Sequence, residues 1–184
     1  MADSTDVSVL LVEDEPDLAD LFRVYLTPEY TVRVAHDGTE ALNTINETID
    51  VILLDRRMPG MSGHDVLDTI RSKGYDTRVA MLTAVEPDED IIEMPFDDYR
   101  KKPISREELR TLVEGLCHRA TFDEQSQEFF ALASKKAALE AAAKTDTDTY
   151  QTVTEKLNAL DGDLTDTLDH LAAEDAFAEI GEDG

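Results

Sequence analysis

Tryptophan is absent from this 184-residue chain, cysteine occurs once, at Cys117, and lysine and arginine number 17 against 42 aspartates and glutamates. A single thiol permits no internal disulfide, which fits a reducing compartment. Long apolar runs are also missing. The longest, Val7–Val12 (interrupted by Ser8) and Val51–Leu54, fall far short of the about 20 residues that a membrane-spanning helix needs. The first residues, Met-Ala-Asp-Ser-Thr-Asp, are acidic and polar, unlike a secretory leader. These absences predict a cytoplasmic protein with no membrane association.

Basic residues are scarce throughout. The formal net charge is −25, and the excess is spread along the chain: residues 1–118 carry 26 acidic and 12 basic groups, residues 119–184 carry 16 and 5. Self-repulsion on this scale costs stability in dilute buffer, and salt removes it, the Debye length shrinking to about 3 Å at 1 M. An acidic tail would concentrate the charge at one end. The even spread instead predicts adaptation to a very salty cytoplasm, the halophile's condition.

What is present is a pattern. Short apolar runs alternate with amphipathic segments, as in an α/β sheet with crossover helices. Strands are expected at Val7–Val12, Tyr30–Ala35, Val51–Leu54, Arg78–Thr83 and, briefly, near Asp97–Arg100. Pro16 suits the first turn of a helix carrying Leu18, Leu21, Phe22, Tyr25 and Leu26. Asp37 can cap a helix with Ala41, Leu42 and Ile45, and a third runs from Ser62 or Gly63 to about Gly74. A short helix is expected around Asp88–Glu93, and Ser105 with Glu108 forms a capping box for the fifth. The prediction is a flavodoxin-like, doubly wound five-stranded parallel sheet over residues 6–118.

Beyond Cys117 the character changes. Glycine is absent from Leu116 to Asp161, and proline from Ile104 onward. Phe122, Phe129, Leu132, Leu139 and Ala143 keep near-heptad spacing, Thr145–Thr149 interrupts it, and Val153, Leu157, Leu160, Leu164, Leu168 and Leu171 resume it. A helical hairpin with an exposed leucine seam is expected over 119–175, followed by a disordered acidic tail at 176–184. Two helices alone bury little apolar surface and should seek a partner, so a homodimer is one expectation.

In a doubly wound sheet, ligands bind beyond the carboxyl ends of the strands. Glu13-Asp14, Asp55, Thr83 and Lys102 fall at those ends: three carboxylates, a hydroxyl and an ammonium drawn from distant parts of the chain. Any one alone is ordinary, since an acidic pair at a strand end is usually a solvated turn and a surface lysine is usually solvated. Together they form a constellation. Closely placed carboxylates repel, a hard divalent cation such as Mg²⁺ relieves that repulsion, and a carboxylate nucleophile can form an acyl phosphate. His36, His64, His118 and His170 are scattered and predict no metal cluster, and Met58, Met61 and Met81 read as packing residues.

The segments Leu11-Val-Glu-Asp-Glu-Pro16, Leu53-Leu-Asp-Arg-Arg-Met-Pro-Gly-Met-Ser-Gly63, Leu82-Thr-Ala84 and Tyr99-Arg-Lys-Lys-Pro103 resemble the four signature segments of response-regulator receivers, in order and at family spacing. The resemblance implies that Asp55 is phosphorylated by a partner histidine kinase. It implies that Asp14, with Glu13 partly through water, Asp55 and the backbone carbonyl of Arg57 hold Mg²⁺. Lys102 and Thr83 would contact the phosphoryl oxygens, Tyr99 would swing inward as Thr83 moves, and Pro103 would follow a cis bond. Such a protein turns over no external substrate; it performs only self-phosphotransfer and autodephosphorylation. A haloacid-dehalogenase-type phosphohydrolase also uses an aspartyl nucleophile, but it places a second Asp two residues on, where Arg57 stands here.

Arg119-Ala-Thr-Phe-Asp-Glu-Gln125, Glu128-Phe-Phe-Ala-Leu-Ala-Ser-Lys-Lys136 and the second leucine-rich helix resemble the HalX domain of halophilic archaeal regulators. That resemblance implies a role in transcription, through DNA or the transcription machinery. The alternative is a dimerisation or protein-docking module without direct DNA contact, which the excess of acid after residue 118 favours. Lys135, Lys136 and Lys144 are the candidate DNA contacts; otherwise they form a solvated helix face.

Overall fold

The computed structural model of the chain describes residues 7–120 and 124–162. Its strands are β1 (Ser8–Val12), β2 (Thr31–Ala35), β3 (Val51–Leu54), β4 (Arg78–Thr83) and β5 (Asp98–Lys101), all parallel in the order β2-β1-β3-β4-β5. The order reverses direction between β1 and β3, so their carboxyl ends open onto a common crevice. β1, β3 and β4 are buried along their whole length, which is why they read as continuous apolar runs rather than alternating ones.

The helices are α1 (Pro16–Leu26), α2 (Gly38–Thr44), α3 (Gly63–Ser72), α4 (Arg106–Arg119), α5 (Glu124–Ala141) and α6, which runs over 148–162. Asp37 caps α2, and the capping boxes Ser62/Asp65 and Ser105/Glu108 start α3 and α4. Between β4 and β5 only a 3-10 turn forms, Glu89–Ile92. Pro87 and Pro95 bracket it, and Pro95, lacking a backbone N–H donor, cannot continue a helix.

The two faces of the sheet carry separate cores. Phe22, Leu26, Leu53, Leu82, Leu109 and Val113 fill one. The other joins Leu54, Val66, Ile70 and Met81 to Ile91, Met94, Phe96 and Tyr99, and it also takes in Leu132, Leu139 and Val153 from the hairpin. This corrects two expectations. The leucine seam of α5 and α6 is not left exposed among the described residues but packs on the sheet domain beside the 3-10 turn. Lys135 is not on a solvated face either: it is 6% exposed and its Nζ donates to the Ile92 carbonyl at 3.0 Å. Half-buried Lys144 donates to the Pro87 carbonyl at 2.6 Å. Polar anchors complete the junction: Arg78 reaches Asp97 at 2.8 Å and Gln127 at 2.7 Å, and Arg119 reaches Asp98 at 3.2 Å.

Helix α5 ends two residues before Ala143, which adopts the left-handed conformation (φ 56°) usually given to glycine. Phe122, Leu164, Leu168, Leu171, His170 and the acidic segment 176–184 lie outside the described residues.

Candidate functional site

Glu13, Asp14 and Asp55 follow buried strands, Thr83 ends one and Lys102 follows the half-exposed β5, so the sheet fixes where each backbone lies. The Glu13 amide donates to Ala35 at 3.0 Å and the Asp55 amide to Val12 at 3.1 Å, extending the β1 and β3 ladders by one residue each. The turn after β3 closes through a 2.8 Å bond from the Gly63 amide to the Arg56 carbonyl. A Cβ on Gly63 would lie 2.1 Å from the Asp55 carbonyl oxygen, so only glycine lets α3 start this close to the acceptor strand. On the other side, the Lys102 amide donates to the Thr83 carbonyl at 2.9 Å, and the Lys102–Pro103 bond is cis as expected.

The side chains converge. Carboxylate oxygens of Glu13, Asp14 and Asp55 lie within 4.8 Å of one another. Lys102 Nζ reaches into this cluster, 2.5 Å from Glu13 Oε2 and 2.9 Å from Asp55 Oδ2. Glu13 is 1% exposed and Asp55 8%, while Asp14 is half-buried and gives the cluster its opening to solvent. The free oxygen of Asp55, Oδ1, accepts from the Arg57 amide at 3.3 Å, and the Arg57 side chain is exposed.

These surroundings shift the acids and bases in interpretable ways. Burial raises the Glu13 pKa above the usual carboxylate value, and the Lys102 ammonium only partly opposes it. Burial alone would lower Lys102, but its hydrogen bonds to Glu13 and Asp55 outweigh that and hold it above the ordinary lysine value. A buried carboxylate cluster with one ammonium and an open side suits a hard divalent cation bound through oxygen. Among the described residues this is the one group of acids, cysteines or histidines close enough to hold a metal.

Thr83 is fully buried, and its Oγ1 accepts from the Val85 amide at 3.2 Å. Tyr99 is 4% exposed, with its hydroxyl donating to the Val85 carbonyl at 2.5 Å. Thr83 and Tyr99 are therefore joined through one residue of the loop between β4 and β5. Burial raises the Tyr99 pKa against the opposing pull of Arg56.

Arg56 is the residue that reading the sequence missed. Its side chain is 11% exposed, and Nη2 bonds Asp88 at 3.0 Å and Asp90 at 3.3 Å. Burial would lower its pKa, but the bonds to Asp88 and the neighbouring Tyr99 raise it instead. Its Nη1 is buried. An Arg-Arg pair after an aspartate carries no local signal; only the tertiary proximity of the 88–90 segment reveals the role.

Fold and site together define a CheY-like doubly wound module with an acidic cluster at the switch point of its sheet. The chain belongs to the response regulator receiver family, matching the receiver domain over residues 9–114, and carries a HalX domain over residues 118–180. It is 52% identical over 134 residues to a candidate transcriptional regulator of the halophilic archaeon Haloferax volcanii, an alignment covering 72% of this chain and 23% of that protein. It is 37% identical over 123 residues to the transcriptional regulatory protein CpxR of Escherichia coli, covering 65% of this chain and 53% of CpxR. The response regulator TrrA of Thermotoga maritima, solved in complex with Mg²⁺-BeF, superposes with a TM-score of 0.54 at 34% identity, covering 60% of this chain and 98% of TrrA. The chain thus spans about half of CpxR and under a quarter of the Haloferax relative. No helix among the described residues is long and apolar enough to cross a membrane.

Proposed function

We propose that the chain is the response regulator of a two-component phosphorelay in the cytoplasm and takes a phosphoryl group on Asp55 from a histidine kinase. The observation that carries this reading is the position of Lys102 Nζ, within 2.9 Å of Asp55 and 2.5 Å of Glu13 at the carboxyl edge of the sheet. In the transfer, an Asp55 carboxylate oxygen attacks phosphorus. The P–N bond to the kinase imidazole breaks, and the electron pair leaves with that nitrogen. Lys102, already beside Asp55, pairs with the added phosphoryl oxygens, and the Thr83 hydroxyl turns its proton toward them. Glu13, Asp14, Asp55 and the Arg57 carbonyl would hold Mg²⁺, which neutralises charge on the carboxylates and on the incoming phosphoryl group. The chemistry is confined to this transfer and to loss of the phosphoryl group to water. Two residues after Asp55, where a haloacid-dehalogenase-type phosphohydrolase carries its general acid, this chain has Arg57.

The helical output then serves transcription. Of the four lysines of the hairpin, Lys135 and Lys144 are engaged on the receiver domain. That supports a second reading, in which the hairpin docks a protein partner or a second copy of this chain without touching DNA.

Incubation with acetyl phosphate and Mg²⁺, followed by intact mass measurement, tests the acceptor. One phosphoryl group should be gained, and Asp55→Asn should abolish it. Equal uptake by Asp55→Asn would remove Asp55 from its role. A salt-titrated DNA-binding assay of the phosphorylated protein separates the two outputs.

A further inference from the structure

The bend between β1 and α1 carries two acids of the site, Glu13 and Asp14, and the end of β2 grips it on both sides of Glu13. The Glu13 amide donates to the carbonyl of Ala35, the last residue of β2, at 3.0 Å. The Glu13 carbonyl lies 3.2 Å from Nδ1 of the next residue, His36. A carbonyl oxygen can only accept, so Nδ1 donates, and in the neutral ring Nε2 is left without a hydrogen. His36 is held in turn from α2. Its amide donates to Glu40 Oε2 at 2.7 Å, and the Glu40 amide donates to Asp37 Oδ1 at 2.8 Å. His36 is exposed, so burial does not fix where its ring lies; the bond to Glu13 does. Within the bend, Glu13 Oε1 accepts from the Glu15 amide at 3.2 Å, and Oε2 accepts from Lys102.

We propose that His36 is a positioning residue of the cation site: its ring tethers the Glu13 carbonyl and so presets the Asp14 carboxylate. This rests on the reading that Glu13, Asp14 and Asp55 hold Mg²⁺. The Glu13 carbonyl belongs to the peptide that leads into Asp14, so rotation of that peptide swings the Asp14 side chain. The β1 ladder ends at the Glu13 amide and α1 begins at Pro16. Between them the bend depends on side-chain bonds for its order. Asp14 is half-buried, so packing holds it less firmly than it holds Glu13 or Asp55. The tether limits its motion before the ion arrives, and binding then bears less of the cost of ordering. Residues that hold a ligand in place from outside the coordination shell tune metal affinity in this way. His36 is not itself a ligand: the groups close enough to share an ion are Glu13, Asp14 and Asp55, with no histidine among them.

Calorimetric titration of Mg²⁺ into the full chain in molar KCl tests this, with the wild type, His36→Leu and His36→Asn compared. Leucine keeps the bulk but offers no donor, and Mg²⁺ affinity should fall about fivefold, the effect of one neutral hydrogen bond. Asparagine places an amide N–H where Nδ1 stands and should recover most of that loss. Equal affinity of the wild type and His36→Leu, or a loss that His36→Asn does not recover, overturns the tether and leaves Asp55 as acceptor. NMR of the His36 ring nitrogens in mildly alkaline buffer gives a second readout. Hydrogen on Nδ1 is expected, and hydrogen on Nε2 overturns the tether. A wild type that takes up no Mg²⁺ overturns the reading of the acidic cluster on which the tether rests.

Discussion

Replacing Lys135 by methionine tests whether the hairpin is seated at an electrostatic loss. The side chain is 6% exposed, with one carbonyl and one ring face for its ammonium. Burial first, and the Lys156 charge second, push its pKa from 10.5 to about 8, against the pull of Glu128 and Asp97. The folded chain therefore binds this proton less tightly than the unfolded chain. Below about pH 8 both states keep it, and folding bears the full penalty of about 3 kcal/mol; the penalty fades as pH rises from 8 toward 10.5. Methionine keeps the stem against Phe96 but gives up a charged hydrogen bond worth about 2 kcal/mol. At pH 7, Lys135→Met should then be more stable than the wild type by about 1 kcal/mol. The wild type should overtake it by about 1 kcal/mol near pH 10.5, where a neutral bond to Ile92 persists and the charge does not. Denaturant titrations of both proteins at matched pH and molar salt measure this, and the difference between them cancels the other groups titrating in that range. A variant several kcal/mol less stable at pH 7, with a parallel pH profile, would refute the reasoning.

Further tests address the site and the hairpin turn. Lys102→Met leaves three carboxylates within 4.8 Å of each other without a cation, so it should lose about 3 kcal/mol in metal-free buffer and regain more stability from Mg²⁺ than the wild type does; equal Mg²⁺ responses in a thermal shift assay would count against the cluster. Gly63→Ala forces the α3 start away from Asp55 and should cost about 3 kcal/mol or more, read by denaturant titration. Ala143→Gly should stabilise the hairpin by about 1 kcal/mol by relieving the left-handed residue, seen as a raised unfolding midpoint. Arg57→Asn or Arg57→Glu should shorten the lifetime of the acyl phosphate, since Arg57 adjoins Asp55 and is exposed where water approaches; an unchanged lifetime sinks that idea. With a net charge of −25, the protein should unfold as salt is dialysed away, and equal stability at low salt would contradict salt adaptation.

The receiver was legible because its signals are local and repeated. Val51–Leu54 is apolar for its full length, as a central parallel strand must be, and the Ser105 capping box marks a helix start within one residue. Strand ends then dictate the site, which is why Glu13, Asp14, Asp55 and Lys102 converge from distant parts of the sequence. What could not be read were pairings set by tertiary packing. The spacing of Leu132, Leu139 and Val153 says that they share an apolar face, not whether a second copy or the chain's own sheet domain covers it. Lys135 looks like any surface lysine until Ile92 and Phe96 are brought beside it. Arg56 likewise acquires meaning only through Asp88 and Asp90, more than thirty positions away.

The most direct measurement is chemical. An acyl phosphate, unlike a phosphoester, is reduced by borohydride, so the modified aspartate can be located by peptide mass spectrometry after treatment with acetyl phosphate. The account predicts reduction at Asp55 alone, dependent on Mg²⁺ and lost when Lys102 is replaced. Reduction at another aspartate, or equal labelling without a divalent ion, would contradict it.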